Sequence, residues 1–419
     1  MQLKNIKIKS WGNIFEKNAE LIEVPNRQDK YIPVGNQNSL SDSNVPIEGK
    51  ALKLNSSDYF EDLNNTVVNS SVTIGKYVEK NKKLLYGIPG TPNVTFGGAI
   101  AADVHGKDAH WGKSFAANIE KIKLKLSSNQ VIDISRNSES DIFGATIGGF
   151  GLTGQIISAK LKPNDIKYSY FFNTSIKKGE GVSDLIDEIR VIDNNYFLAV
   201  IDLVNKNDKW IIKRSSPVEA ENIKPHAIES KKKKSSIYLP FVGSNFLYSL
   251  NLLNSIYPHI QKDGVHHYSN TLYPQGGNRD PRIFCKNKKL VEIQFSIPMK
   301  EINNIEKIFK IIKDHFNPIT CSLKILSDQE KLNNLSFYQE GVGVNFAIPS
   351  NKVNLKIIET LFTLLIAIGG KINLSKDCLL NEKQFKEMYP EFEQWIKVVK
   401  KVDPNDNFQS SLSKRLGIK

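Results

Sequence analysis

The stretch GIPGTPNVTFGGAIAADVHGK, from Gly87 to Lys107, constrains this chain more than any other part of it. Small residues in series let main chain approach something closely, because glycine lacks the Cβ that would hold it off. Two explanations are open from these residues alone: a glycine-rich surface loop, or a backbone cradle for a large, flat, phosphate-bearing ligand. The segment closes on His105, Gly106 and Lys107, so side chains able to do chemistry stand where the small residues stop.

A chain of 419 residues is too long for one ordinary core, and two domains are expected. Three cysteines, Cys285, Cys321 and Cys378, lie far apart without CxxC spacing. They argue against a disulfide framework or a zinc site and for a reducing compartment. A net charge of +13 suits nucleic acid, an anionic membrane surface or a phosphorylated substrate. No nucleic-acid-binding motif accompanies the charge, so that class is set aside. The run Lys231–Lys234 reads either as a solvated loop or as a patch that docks on an anionic membrane. MQLKNIKIKSWGN has no apolar run, and no secretory leader is expected. The most apolar window, Leu355 to Gly370, contains Lys356 and Glu359 and ends in two glycines. It is short for a membrane span and reads as a buried helix with a glycine stop. The expectation is a cytoplasmic protein, at most peripheral to a membrane, with no metal.

Along the chain, residues 21 to about 165 are rich in short strands: YIPVG, KALKLN, TVVNSSVTIG, KIKLKLSS, QVIDIS and GLTGQIISAKLKP. Alternation and β-branched residues support each one. SESDIFGATIGGFG reads as a helix start capped by Ser138 or Ser140, followed by a glycine-rich turn. From about 166 to 370, longer strands (FFNTSI, YFLAVIDLV, WIIKR, KLVEIQFSIP) alternate with the helical spacings of SDLIDEIRVI and EINNIEKIFKIIKDHF. NEKQFKEMYPEFEQWIKVVKKVDP predicts a helix or helix pair ended by Pro404. The fold class expected is α+β.

Three glycine-rich or small-residue segments follow one another: PVGNQNSLSDSN (Pro33 to Asn44), Gly87 to Lys107, and FGATIGGFGLTGQIISA (Phe143 to Ala159). With GKSFAANIEKIKL between them and GGKINLSKD, MYPEFEQW and KVDPNDNFQSSLSKRL near the end, the chain resembles the FAD-linked oxidases of the vanillyl-alcohol oxidase superfamily. Within it, the likeness is to the decaprenylphosphoryl-ribose oxidase family. The resemblance implies a two-lobed PCMH-type FAD-binding domain from residues 1–165, completed by a returning segment 371–419. A substrate domain of antiparallel sheet with flanking helices, 166–370, is implied between them, with the flavin at the seam.

The same resemblance implies the site. Gly35, Asn38 and Ser39 belong to the pyrophosphate loop. Gly90, Thr95, Phe96, Gly97, Gly98, Ala102, Asp103, Val104 and His105 line the cofactor, with Ile156 on the adenine side. Lys376 stands against the flavin on the substrate side, with His105 as its catalytic companion. Tyr273, Gln294 and Lys324 match substrate-pocket positions alongside Lys376. Oxidation of a secondary alcohol sends hydride to flavin N5 while the hydroxyl loses a proton. Lys376 suits either of two tasks there: accepting that proton, or stabilising negative charge.

The chain also departs from the family. Asn38 and Leu40 replace an arginine and a tyrosine of the pyrophosphate loop, and Asn373 replaces a tyrosine before the lysine. Pro33 to Asn44 holds no histidine, so non-covalent FAD is expected. Too little chain lies between Trp11 and Pro33 for the usual strand–helix–strand, and the first helix is expected to be missing. The function implied is oxidation of a ring hydroxyl of a polyprenyl-phosphate-linked pentose, as the first half of an epimerisation completed by a short-chain dehydrogenase partner. Two alternatives remain: an aldonolactone or alditol oxidase using oxygen, and a non-catalytic scaffold of the same fold.

Overall fold

A computed structural model describes residues 4–23, 25–53, 66–204, 207–218, 263–273, 285, 288–328 and 335–419. Lys231–Lys234 lie outside them. Three sheets organise the molecule. The first joins β1 (Lys4–Lys9), β2 (Glu16–Ile22), β3 (Ile32–Pro33) and β4 (Lys50–Leu52) in the order β1-β2-β4-β3. Its β1–β2 pair is antiparallel, and β4 runs parallel to both β2 and β3. No helix occurs between β1 and β4 among the described residues, as the short Trp11–Pro33 interval predicts. The second sheet is antiparallel, with β5 (Val67–Asn69), β6 (Ile119–Lys125), β7 (Val131–Ser135) and β8 (Gln155–Leu161) in the order β5-β8-β6-β7.

The third sheet is the largest and antiparallel throughout. It contains β9 (Phe171–Gly179), β10 (Tyr196–Ile201), β11 (Trp210–Pro217), β12 (Gly264–His267), β13 (Leu290–Pro298), β14 (Thr320–Leu326), β15 (Gly341–Pro349) and β16 (Lys371–Ile372). Their order is β12-β9-β11-β10-β14-β15-β13-β16. Every residue of β13 and of β15 is buried, so both faces of this part of the sheet are covered. Alternation assigns the two faces different chemistry. Ile293, Phe295, Ile297, Leu323, Ile325, Val342, Val344 and Phe346 join one apolar core. Glu292, Gln294 and Ser296 alternate with them and are buried as well, which sets a polar row on the opposite face.

Among the described residues are ten helices of the α type. In the first part are α1 (Ile74–Asn81), α2 (Phe96–Ala101) and α3 (Ser140–Thr146). Next come α4 (Val182–Ile189), α5 (Tyr268–Leu272), α6 (Ile305–Phe316) and α7 (Leu355–Ala367). The end of the chain adds α8 (Glu382–Met388), α9 (Phe392–Val402) and α10 (Ser411–Arg415). Ile305, Ile308, Phe309, Ile312 and Phe316 repeat at helical spacing on α6, and Ile358, Leu361, Phe362 and Leu365 on α7. Both stripes share the core with the apolar face of β13–β15. The glycine stop after α7 forms as expected: Gly369 takes φ +71°, and Gly370 N–H donates to Leu365 O at 2.7 Å.

Two local expectations are corrected. TVVNSSVTIG is strand only through Asn69, because Thr73 caps α1 by accepting from Lys76 N–H. The helix at SESDIFGAT starts at Ser140, but neither serine caps it: Glu139 occupies the cap position at φ +52° with no side-chain hydrogen bond. The terminal helices do form the expected pair, and they do not stand apart. Phe385, Trp395 and Leu412 enter the same core as β13–β15, and Trp395 Nε1–H donates to Ala145 O at 3.0 Å.

Candidate functional site

Three stretches distant in sequence converge on the polar face of the large sheet. The loop after β3 is tied to the glycine-rich segment by Asn36 and Asn38, whose side-chain amides donate to Asn93 O at 3.2 and 2.9 Å. Gly35 lies so close to Thr95 that a Cβ there would sit 2.6 Å from Thr95 Oγ1. The same loop meets the chain after β16, where Ser41 N–H donates to Ser375 O at 3.3 Å. Arg415 locks that junction, donating to both Asp42 oxygens at 3.0 and 2.8 Å and to Asp377 Oδ2 at 2.8 Å.

The main-chain N–H groups of Gly35, Asn36, Gln37, Asn38, Ser39 and Leu40 make no hydrogen bond among the described residues. Ser39 Oγ lies 3.0 Å from Ser41 Oγ and 2.9 Å from Ser43 Oγ. A run of free amides edged with hydroxyls, with Asp42 neutralised by Arg415, is the donor set an anionic pyrophosphate requires. Gly35, Asn38 and Ser39 therefore fit the group expected there. The α2 turn contributes differently. Phe96, Gly97 and Gly98 N–H are satisfied by Val72 O, Ser70 O and Thr95 Oγ1. A Cβ on Gly97 would lie 2.9 Å from Ser70 Cβ, so this glycine serves the contact between α2 and the end of β5. Asp103 turns its carboxylate to Ala116 N–H, and Ile156 is packed in the core of the second sheet. Gly90, Ala102 and Val104 flank this turn, with Ala102 closing α2 and Val104 N–H bonded to Ala99 O.

At the end of that turn His105 is buried between Phe337 and Tyr338, with ring centroids 5.3 and 5.8 Å away. Its Nε2 is 3.0 Å from Gln294 Oε1, and Lys324 Nζ is 3.0 Å from its Nδ1. Asn373 Nδ2 donates to the same Gln294 oxygen at 2.8 Å. That oxygen is thus an acceptor, which places the imidazole hydrogen on Nε2 and leaves Nδ1 as the lone-pair side facing Lys324. Burial, with Lys324 and Lys376 nearby, holds His105 well below the ordinary histidine range, so the ring is neutral.

Lys376 joins this cluster from the chain after β16. Its ammonium pairs with Glu292 Oε1 at 2.5 Å and donates to Asn345 Oδ1 at 3.2 Å. Lys376 and His105 are brought into one site across the sequence, with Gln294 and Asn373 between them rather than in direct contact. Lys107 is buried and donates to Leu272 O, while burial lowers it to about 7. Burial raises its neighbour Asp108 to about 6, against the pull of Gly87 N–H on the carboxylate. Tyr273 is buried beside Leu272 with its ring 6.1 Å from Tyr268, but no hydrogen bond joins it to Gln294, Lys324 or Lys376.

Glu292, Asn345 and Asp108 belong to the site, and sequence reading passed over them. The signal for the first two is visible in retrospect. A polar residue two positions from Gln294 in KLVEIQFSIP, and one inside GVGVNFAIP, mark a polar face on strands otherwise apolar. Register brings these rows together: Gln294 pairs with Asn345, Asn345 with Ser322, and Lys324 with Gly343.

Residues 350–416, which include Lys376 and Arg415, match the D-arabinono-1,4-lactone oxidase family. The chain is 24% identical over 351 residues to the decaprenylphosphoryl-beta-D-ribose oxidase of Mycolicibacterium smegmatis, covering 78% of this chain and 75% of that protein. It is 23% identical over 356 residues to an uncharacterized protein in the mprA 5' region of Streptomyces coelicolor, covering 79% of this chain and 95% of that one. The flavin-oxidase likeness in the sequence is borne out by these relatives.

Proposed function

We propose that this chain, an FAD-dependent oxidoreductase as its relatives indicate, oxidises a secondary ring hydroxyl of a sugar to a ketone. The observation that carries this reading is the cluster of His105, Gln294, Lys324, Asn373 and Lys376 on one sheet face, beside a loop of free amides. Bound FAD supplies the hydride acceptor. The loop from Gly35 to Leu40 holds the pyrophosphate through main-chain N–H groups. Gln294 and Asn345 offer neutral amides that orient sugar hydroxyls, and Phe337 and Tyr338 beside His105 keep water from the reacting carbon. Lys376, an ammonium paired with Glu292, stabilises negative charge as it develops. The flavin half consists of residues 1–165 with the 371–419 segment, and 166–370 carries the substrate. FAD is held non-covalently, since Pro33 to Asn44 contains no histidine and both nitrogens of His105 are engaged.

The substrate we assign is a polyprenyl-phosphate-linked pentose, after the named substrate of the Mycolicibacterium relative. A short-chain dehydrogenase would then reduce the ketone with opposite stereochemistry, and contact with a membrane surface would deliver the lipid. No helix among the described residues is long and apolar enough to cross a membrane. The match of residues 350–416 to the lactone oxidases supports a second reading, an aldonolactone oxidised with oxygen as acceptor. An absorption spectrum before and after acid precipitation tests the cofactor: a two-band flavin spectrum that leaves with the supernatant is expected. Anaerobic bleaching by a polyprenylphosphoryl pentose, against D-arabinono-1,4-lactone, separates the two readings. Bleaching by the lactone alone overturns the first.

A further inference from the structure

The two lysines that flank the reacting region are not equivalent. Lys376 faces a buried carboxylate, Glu292 Oε1 at 2.5 Å, so its charge is matched. Lys324 has His105 Nδ1 at 3.0 Å as its hydrogen-bond partner among the described residues, and that ring is neutral. The imidazole orientation is fixed on its far side by Gln294 and Asn373, so Nδ1 always presents a lone pair. A Lys324 amine donates one N–H to Nδ1 and keeps its own lone pair for something else.

Resting on the reading of this chain as a sugar hydroxyl oxidase, we propose that Lys324, positioned by His105, accepts the substrate hydroxyl proton while Lys376 remains the fixed positive charge. In the step, the carbinol C–H bond breaks and its electron pair leaves with the hydrogen as hydride to the bound flavin. The C–O bond becomes C=O, and the hydroxyl proton passes to the Lys324 lone pair. The new ammonium is then held by the His105 Nδ1 acceptor it already touches. The surroundings favour this exchange. Burial lowers Lys324 well below the ordinary lysine range, and the charges of Lys107 and Lys376 lower it further, with Asp108 and Glu292 opposing. Of the two tasks open to Lys376, this leaves it the stabilisation of negative charge: a lysine already paired with Glu292 has no lone pair to offer.

Two measurements test this. Side-chain NMR of the FAD-loaded protein with 15N-labelled lysine reads protonation without any turnover. Lys107, lowered to about 7, gives one neutral amine signal at pH 8; a further neutral signal, lost in Lys324→Met and kept in Lys376→Met, is expected. An ammonium at position 324 at that pH overturns the proposal, whichever sugar the enzyme uses. The second measurement is the pH profile of anaerobic flavin bleaching by a polyprenylphosphoryl pentose. Wild type should show an acidic limb that Lys376→Met retains. Lys324→Met and Lys324→Arg should both lose roughly 10²–10⁴-fold in rate with the flavin spectrum intact, because arginine keeps charge and gives up no lone pair. Rescue by arginine overturns the proposal. If neither the pentose nor the lactone bleaches the flavin, the substrate reading fails, and the NMR result still decides the state of Lys324.

Discussion

Arg415 is where stability and cofactor binding should fail together. Its Nε and Nη2 donate to the two oxygens of Asp42 at 3.0 and 2.8 Å, while Nη1 donates to Asp377 Oδ2 at 2.8 Å and to Leu380 O at 2.6 Å. The side chains of Asp42 and Asp377 are 1% and 0% exposed. Burial disfavours the guanidinium charge, and Asp377 and Asp42 more than offset this, holding Arg415 above its ordinary value. Arg415→Met keeps much of the stem packing and leaves two carboxylates buried without a cation. Removing one partner of a buried pair costs about 3–5 kcal/mol. The two pairs share one cation and are coupled, so their costs do not simply add. A loss in that range is a large part of the roughly 5–15 kcal/mol that holds a typical domain.

Urea unfolding followed by intrinsic fluorescence, with FAD bound and after its removal, reads the effect. The triple variant Arg415→Met, Asp42→Asn, Asp377→Asn should recover at least half of the loss. The buried charges are then gone, and the side-chain amide oxygen introduced by Asp377→Asn can still accept from Leu379 and Leu380 N–H, as the Asp377 carboxylate does at 2.9 Å each. FAD should bind more weakly to the single variant, because the loop that offers free amides is joined to the chain after β16 through Ser41 and this bridge. A loss below about 1 kcal/mol, the size of an exposed pair, would mean that Arg415 does not compensate two buried charges.

Three further outcomes are expected. Lys107 titrates near 7 in the folded chain, far below its unfolded value, so between those two values the unfolded chain binds the extra proton and stability rises with pH. Urea midpoints should therefore climb from pH 7 to pH 9 in wild type, and Lys107→Met should flatten that climb. Asn354 caps α7 by accepting from Lys356 and Ile357 N–H, and Asn354→Ala should cost about 0.5–2 kcal/mol in the same titration. Gly97→Ala places a Cβ 2.9 Å from Ser70 Cβ. It should lower the thermal midpoint even without FAD, whereas a glycine needed only for the ligand would show no such effect.

Those strands and helices that were legible were so because their side chains repeat at the right period. β13, and the stripes on α6 and α7, announce themselves through Ile, Val, Leu and Phe. The start of α3 was not, since Glu139 enters it with positive φ and no capping bond, and two nearby serines made a better-looking signal. At α1 the β-branched run through Val72 and Thr73 favours strand, and the cap at Thr73 overrides it.

The site was legible one residue at a time but not as a circuit. His105, Gln294, Lys324 and Lys376 each stand out by type within their segments. Which lysine faces a carboxylate is a property of register and of the turn at Asn373, and neither has a local sequence mark. Glu292 reads as an ordinary strand residue until β13 is seen buried on both faces, when a carboxylate on its polar side must find a cation. That requirement assigns Lys376 to Glu292 and leaves Lys324 with a neutral ring. The different tasks of the two lysines therefore follow from burial of one glutamate.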